Sequence, residues 1–168
     1  ARLRAGGQGF WAPNAENDLA VAYSWLGRDD LARRLLSVMD DDLPEITCDP
    51  ELVRQALVNL ISNALVAEGR SGPVVVRAAR SSERVVISVV DDGVGIPEQD
   101  RSRIFQPFFT TRATGIGLGL PVVARIAEAH GGELSFEPTP GGGATFRFSL
   151  AAGEADTAPA ASTAPRAL

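Results

Sequence analysis

Residues 84–91 read RVVISVVD, and across 85–90 only Ser88 is polar. A short β-branched run bounded by polar residues is a strand, and its near-continuous apolarity predicts burial on both faces near the centre of a sheet. Such a strand needs partners. GPVVVRAARSSERVVISVVDDG supplies one, reading as strands at about 73–79 and 84–91 joined by a polar turn at Ser81–Ser82. Farther on, a strand at 133–137, a PTPGGG turn and ATFRFSL predict a second hairpin, with Phe146, Phe148 and Leu150 on alternate positions.

Two helices accompany these strands. Asp49 is a capping residue, Pro50 suits the first helical position and Glu51 the positive end of the dipole. Val53, Leu57, Leu60, Ala64 and Leu65 then make a core-facing stripe through residue 67. A second helix is predicted at about 118–130, with Leu120, Val123, Ile126 and Ala127 inward and Gly131–Gly132 ending it. A short strand is expected at 45–48, whereas 17–39 fits helix and strand in different parts. The sum is an α/β fold, a two-layer α/β sandwich with helices on one face of a mixed sheet. Residues 1–34 read as a linker or N-terminal edge and 35–150 as one domain. Residues 151–168, rich in Ala, Pro, Thr and Ser, read as a disordered tail.

At 168 residues, 45% hydrophobic and 22% charged, the chain suits one globular domain with a substantial core. No apolar run approaches the ~18 residues of a membrane span. Cys48 is the only cysteine, which excludes an internal disulfide and a cysteine-based zinc cluster and suits a reducing, cytoplasmic setting. A first residue of Ala rather than Met leads us to expect a piece of a larger protein. The net charge of −5 argues against a nucleic-acid partner. A small phosphate ligand stays open, because backbone N–H groups and a metal ion can hold it.

Three stretches carry candidate chemistry. In QALVNLISNALVA, Gln55, Asn59 and Asn63 lie four apart and share one stripe beside a wall of aliphatic residues. They are either a solvent-facing edge or a row of amides awaiting a ligand, and an Asn carbonyl oxygen suits Mg²⁺. In VVDDGVGIP, a strand delivers Asp91 just ahead of Gly93 and Gly95. Asp91 is either a turn cap or a carboxylate accepting from an exocyclic amine such as that of adenine. In TTRATGIGLGL, Gly115, Gly117 and Gly119 alternate at a helix entrance, where bare N–H groups make an anion site. Neither a Rossmann nor a P-loop spacing is present. The connection 92–116 is long for a compact domain, which marks it as functional.

Together NLISNA, DDGVGIP, IFQPFFTT and GIGLGL resemble, in order and separation, the N, G1, F and G2 boxes of sensor histidine kinases. That ATP-binding catalytic domain belongs to a superfamily shared with type II topoisomerases, mismatch-repair ATPases and a heat-shock chaperone, with a Bergerat-type fold. The resemblance covers about residues 40–150. It implies ATP and Mg²⁺ as cofactors, with Asn63 as metal ligand, Asn59 on the phosphate side and Asp91 on the adenine amino group. Gly93, Gly95 and Ile96 would shape the pocket. Residues 96–116 would form the ATP lid, anchored by Phe105, Phe108 and Phe109. Gly115, Gly117 and Gly119 would lie against the triphosphate, Phe105, Thr110, Thr111, Ile116 and Leu118 would also bind ATP, and Arg112 would reach the terminal phosphate. Asn59, Asn63 and Arg112 are the implied catalytic group.

Hydrolysing branches of that superfamily carry a Glu four residues before the metal-binding Asn. Here the place is Asn59, an amide that cannot act as a general base, so phosphoryl transfer is expected rather than hydrolysis. His130, the only histidine, sits where a helix ends and reads as a helix C-terminal contact rather than a phosphoacceptor. The acceptor histidine would lie on a separate dimerisation domain, upstream or in trans, with a response regulator downstream. The complete kinase would be a homodimer, membrane-tethered or not, and this domain alone a monomer. Val66 and Ala67 stand where some members carry a lysine or an aromatic residue. The alternatives are a stand-alone or degenerate ATP-binding regulatory module and an anti-sigma-type serine kinase, the latter disfavoured by the Phe-rich FQPFFTT.

Overall fold

The computed structural model describes residues 9–11, 35–40, 43–44, 46–112 and 115–152. Its strands are β1 (Gly9–Trp11), β2 (Leu35–Met39), β3 (Ile46–Cys48), β4 (Val74–Ser81), β5 (Arg84–Val90), β6 (Leu134–Pro138) and β7 (Ala144–Ala151), with helices α1 (Pro50–Leu65) and α2 (Gly119–Ala129). Five strands form one sheet in the order β2-β4-β5-β7-β6. β2 runs parallel to β4 and the other pairings are antiparallel, so the sheet is mixed. The two helices pack on each other and on one face of this sheet. The expected two-layer sandwich is what forms.

Register explains the core. Ala78, Ile87, Phe148 and Leu134 lie side by side across four strands, and Val76, Val89, Phe146 and Phe136 form the next such row. α1 covers these rows with Val53, Ala56, Leu57, Leu60, Ile61, Ala64 and Leu65, and α2 adds Val123, Ile126 and Ala127. Each fully buried side chain of this kind stabilises the fold by about 1.5–3 kcal/mol.

Several expectations shift. β5 lies at the sheet centre, but it is not covered on both faces: Val85, Ile87 and Val89 are buried, whereas Val86, Ser88 and Val90 are half-exposed. Both described helices lie on one side, and the valines of the other face stay half-exposed. The first hairpin turns at Ser82–Glu83, one residue later than predicted, because Ser81 still pairs with Arg84. β7 continues to Ala151, which also pairs with Arg84, so this strand reaches one residue into the stretch read as tail. Residues 153–168 lie outside the described residues, as do 12–34. Gly9–Trp11, from the stretch read as linker or edge, pairs antiparallel with β3. The ambiguous region 17–39 ends in a strand, β2.

Asp49 caps α1 as expected, its Oδ1 accepting from the N–H groups of Glu51 at 2.9 Å and Leu52 at 3.2 Å. α2 ends in a Schellman motif: Gly132 N–H donates to the Ala127 carbonyl at 2.9 Å and Gly131 N–H to Glu128 at 3.1 Å. Gly131 takes φ 67°, which few other residues adopt without strain. His130 sits at this helix end and does more than the expected C-terminal contact. Its Nε2 accepts from the Asp49 N–H at 3.0 Å while Nδ1 lies 2.7 Å from the Ile126 carbonyl. The imidazole is therefore the Nδ1–H tautomer, donating to Ile126 and tying the end of α2 to the start of α1. His130→Ala removes both bonds, and we expect it to lower unfolding free energy by about 1 kcal/mol. A urea melt with an unchanged midpoint would contradict this bridge.

Candidate functional site

The site gathers around the exit of α1. Among the amides of the stripe, Gln55 is exposed, and Asn59 and Asn63 are half-buried along the edge that meets the start of α2. A Cβ placed on Gly119 would lie 3.7 Å from Asn59 Oδ1 and 3.8 Å from Asn63 Nδ2. The first turn of α2 thus stands directly beside the two asparagines. No side chain caps this helix, which leaves its first N–H groups facing outward.

The second wall comes from the end of β5. Asp91 is 5% exposed. Its Oδ1 accepts from the N–H of Gly93 at 2.9 Å and of Ala144 at 3.3 Å. The turn-capping role is therefore real, but it occupies one oxygen; Oδ2 accepts no hydrogen bond among the described residues. Burial pushes the Asp91 carboxyl above its ordinary range, and the two backbone donors hold it back only in part. The loop is stitched to the segment just after α1 through Val94 N–H, which donates to the Glu68 carbonyl at 2.8 Å. Gly93 packs against Ala67 and Glu68, and Gly95 against Gly143 of the last hairpin. Ile96 is half-buried against the core.

Asp92 was not singled out in the sequence and proves structural. Its Oδ2 accepts from Gly72 N–H at 2.7 Å, the Ser71 hydroxyl at 2.9 Å and Ser71 N–H at 3.2 Å. These donors hold its carboxyl below the ordinary aspartate range, the Gly72 bond foremost. The doublet Asp91–Asp92 at the end of a strand was the available signal, since alternation must send one carboxylate inward and the other outward. Gly143 was read as turn filler, yet it lies against the backbone of Asp91. Three successive glycines, more than a hairpin needs, were its signal.

The long connection carries the remaining residues, with 113 and 114 outside the described set. Ile104 is buried, and Phe105 and Phe109 pack against the core, with Arg103 over the Phe109 ring at 4.4 Å. Phe108 was expected to be a third anchor and is not one. It is 74% exposed at φ 67°, and its N–H donates to the Gly117 carbonyl at 2.9 Å. Gly117 takes φ 72°, and a Cβ there would stand 2.5 Å from the Phe108 carbonyl carbon and 2.6 Å from the Phe109 oxygen. The connection's own packing therefore demands glycine at 117. Gly115 lies against the Thr110 side chain. Thr110 Oγ1 accepts from Arg112 N–H at 3.1 Å, while Thr111, Ile116 and Leu118 are exposed.

Arg112 reaches across to α1. One Nη donates to Asn63 Oδ1 at 3.1 Å and the other to the Asn63 carbonyl at 2.9 Å. Arg112 and Asn63, two of the three residues expected to act together, are thus in contact; Asn59 meets them through Gly119. Among the described residues no group of three His, Cys, Asp or Glu could hold a metal, and none of the described helices is long and apolar enough to cross a membrane.

A half-buried asparagine pair, an uncapped helix start and a buried carboxylate are thus arranged around one helix exit. Residues 48–154 match the family described as histidine kinase-, DNA gyrase B-, and HSP90-like ATPases, and the chain belongs to it. It is 47% identical over 111 residues to the sensor histidine kinase ZraS of Escherichia coli (strain K12), covering 66% of this chain and 24% of ZraS. The catalytic domain of histidine kinase ThkA superposes with a TM-score of 0.72 at 27% identity, covering 88% of this chain and 97% of that domain. Full-length ShkA, solved in complex with AMPPNP, gives a TM-score of 0.71 at 28% identity, covering 91% of this chain and 33% of ShkA. The chain spans about a quarter of the length of ZraS.

The two aspartates act oppositely on stability. A depressed carboxyl such as Asp92 contributes stability that is present above the ordinary pKa of 3.8 and lost as pH falls through the lower folded value. Asp91, raised by burial, costs stability as pH rises above the ordinary 3.8, and that cost is complete once pH exceeds its folded value. Asp92→Asn should therefore lower the thermal midpoint at neutral pH, with the gap to wild type closing in acid, while Asp91→Asn should not lower it. Calorimetric melts between pH 3 and 7 (roughly the carboxylate range) would refute this if Asp91→Asn proved the more damaging at pH 7.

Proposed function

We propose that the chain is the Mg-ATP-binding catalytic domain of a two-component sensor histidine kinase. It would present the γ-phosphoryl group to a histidine on a dimerisation domain outside this sequence. The observation that carries the reading is Asp91. A carboxylate 5% exposed, fixed through one oxygen and with the other accepting no hydrogen bond among the described residues, keeps that second oxygen for a ligand donor. An exocyclic amine of adenine is such a donor.

The residues present fit the expected cofactors. Asn63 Oδ1 is a neutral oxygen that already accepts from a cationic group, as a magnesium ligand must. When bound, Mg-ATP supplies the phosphoryl group together with the metal charge that offsets its oxygens. In this reading Asn63 holds the metal, Asn59 and the N–H groups at the start of α2 orient the phosphates, and Gly93, Gly95 and Ile96 shape the adenine side. Gly115, Ile116, Gly117 and Leu118, with Thr110 and Thr111, border the phosphate side, and Phe105 holds the lid to the core. Arg112 is the mobile cation. Asn59 offers no general base, which favours transfer over hydrolysis. His130 has both ring nitrogens engaged and is not an acceptor.

The whole kinase would be a homodimer, cytoplasmic in this part, acting on a response regulator. The domain would span 35–151, with 1–34 as a linker or edge and the tail beyond it.

Asp91→Asn should weaken nucleotide binding by about 10- to 100-fold, the worth of a charged hydrogen bond. His130→Ala should leave it nearly unchanged. Titration with a fluorescent ATP analogue separates the two, and equal losses would sink the assignment. With labelled ATP the chain alone should stay unlabelled, while an added histidine-bearing dimerisation domain of a close relative takes up acid-labile phosphate. Stable label on His130 would overturn the acceptor reading.

A further inference from the structure

Arg112 holds its charge on Asn63 Oδ1, the oxygen on which a divalent metal would bring its own. A guanidinium nitrogen stands 3.1 Å from this oxygen. A magnesium ion would stand roughly 2.1 Å from it. The two positive charges would then lie within a few ångströms and repel. We infer that Arg112 is a latch: it competes with metal–nucleotide for Asn63, so loading the site hands Asn63 from the arginine to the metal and frees the lid. The inference rests on the metal role proposed for Asn63.

Three features support an exchangeable contact. First, the oxygens of Asn63 are available. Ala67 N–H turns to the Ala64 carbonyl at 3.2 Å, so the Asn63 carbonyl takes its donor from Arg112 instead. α1 has no basic residue in its own last turn, and the negative end of its dipole draws a cation from elsewhere. Second, the arm is aimed. Thr110 Oγ1 accepts from Arg112 N–H, and Gly115 N–H donates to the Arg112 carbonyl at 3.1 Å, fixing the backbone from which the side chain extends. Third, both partners are neutral oxygens at an exposed site, and a guanidinium prefers an anionic partner. A terminal phosphate offers one, so the latch opens toward a better contact rather than into water. ADP lacks that phosphate and would open the latch without this compensation.

The test compares wild type, Arg112→Gln and Arg112→Lys. Hydrogen exchange across 105–118 and 60–68 is measured without nucleotide, and Mg-ADP and Mg-ATP binding by calorimetry. Arg112→Gln should speed exchange in both segments and bind Mg-ADP about three- to ten-fold more tightly, since the latched fraction no longer reduces apparent affinity. Its gain for Mg-ATP should be smaller or absent, so the ATP-over-ADP preference falls. Arg112→Lys, able to reach one oxygen, should lie between. Unchanged exchange, or Mg-ADP affinity that stays equal or weakens in folded Arg112→Gln, overturns the latch while leaving nucleotide binding in place. A wild-type chain that binds neither nucleotide overturns the functional reading and the latch together.

Discussion

α1 ends with carbonyls that the helix itself does not satisfy, and the protein's working parts are assembled around them. Arg112 takes the Asn63 carbonyl and Arg70 takes Leu65 at 3.3 Å and also reaches Gly72, while just past the helix Val94 N–H takes Glu68. Each donor belongs to a different segment: the lid, the turn before β4, and the loop after β5. A helix with a basic final turn could have closed its end locally. Here the open end recruits distant segments, and their meeting point is the site.

Two neighbouring aspartates show how this junction stays folded while keeping a reactive face. Asp92 binds the turn at Ser71–Gly72 through three donors and is stabilised as an anion. Asp91, one residue earlier, is driven into the interior, and its ionised form is disfavoured. The outward carboxylate secures the loop whose inward carboxylate opposes folding. Arg70 adds to this balance, since its charge favours ionised Asp91 while its buried Nε finds no partner among the described residues. Polar groups left incompletely satisfied beside a binding cleft are where stability is commonly conceded to function.

Local patterns made much of this legible. Helix starts follow from Asp49-Pro50 and the second helix end from Gly131–Gly132, because caps depend on a few adjacent residues. Pairings failed in detail where distant context decided. RVVISVV carries apolarity enough for two covered faces, but coverage depends on where helices lie, and the described ones lie on one side only. Phe105, Phe108 and Phe109 look alike in sequence, yet Phe108 is exposed at positive φ with its N–H bonded to Gly117, which nothing in FQPFFTT announces. Asp91 as a candidate was legible because a strand ended there; the part played by Asp92 needed the position of a turn some twenty residues earlier. Asn63 could be named, but its pairing with Arg112 spans 49 residues of chain and shows only in the fold.

The alternating glycines show how two causes can share one motif. At Gly117 the backbone conformation and the crowding of Phe108 and Phe109 already exclude a side chain, whatever binds nearby. At Gly119 the protein itself leaves room, since the nearest atoms would stand at ordinary contact distance. A methyl group there would not disturb the fold; it would project between the helix start and the two asparagines, where the phosphates are proposed to lie. The need for glycine at 117 is therefore architectural, and at 119 it has no internal cause. A folded, stable Gly119→Ala chain that loses nucleotide would place the ligand between α1 and α2, whereas undiminished binding would move the phosphates away from that helix start.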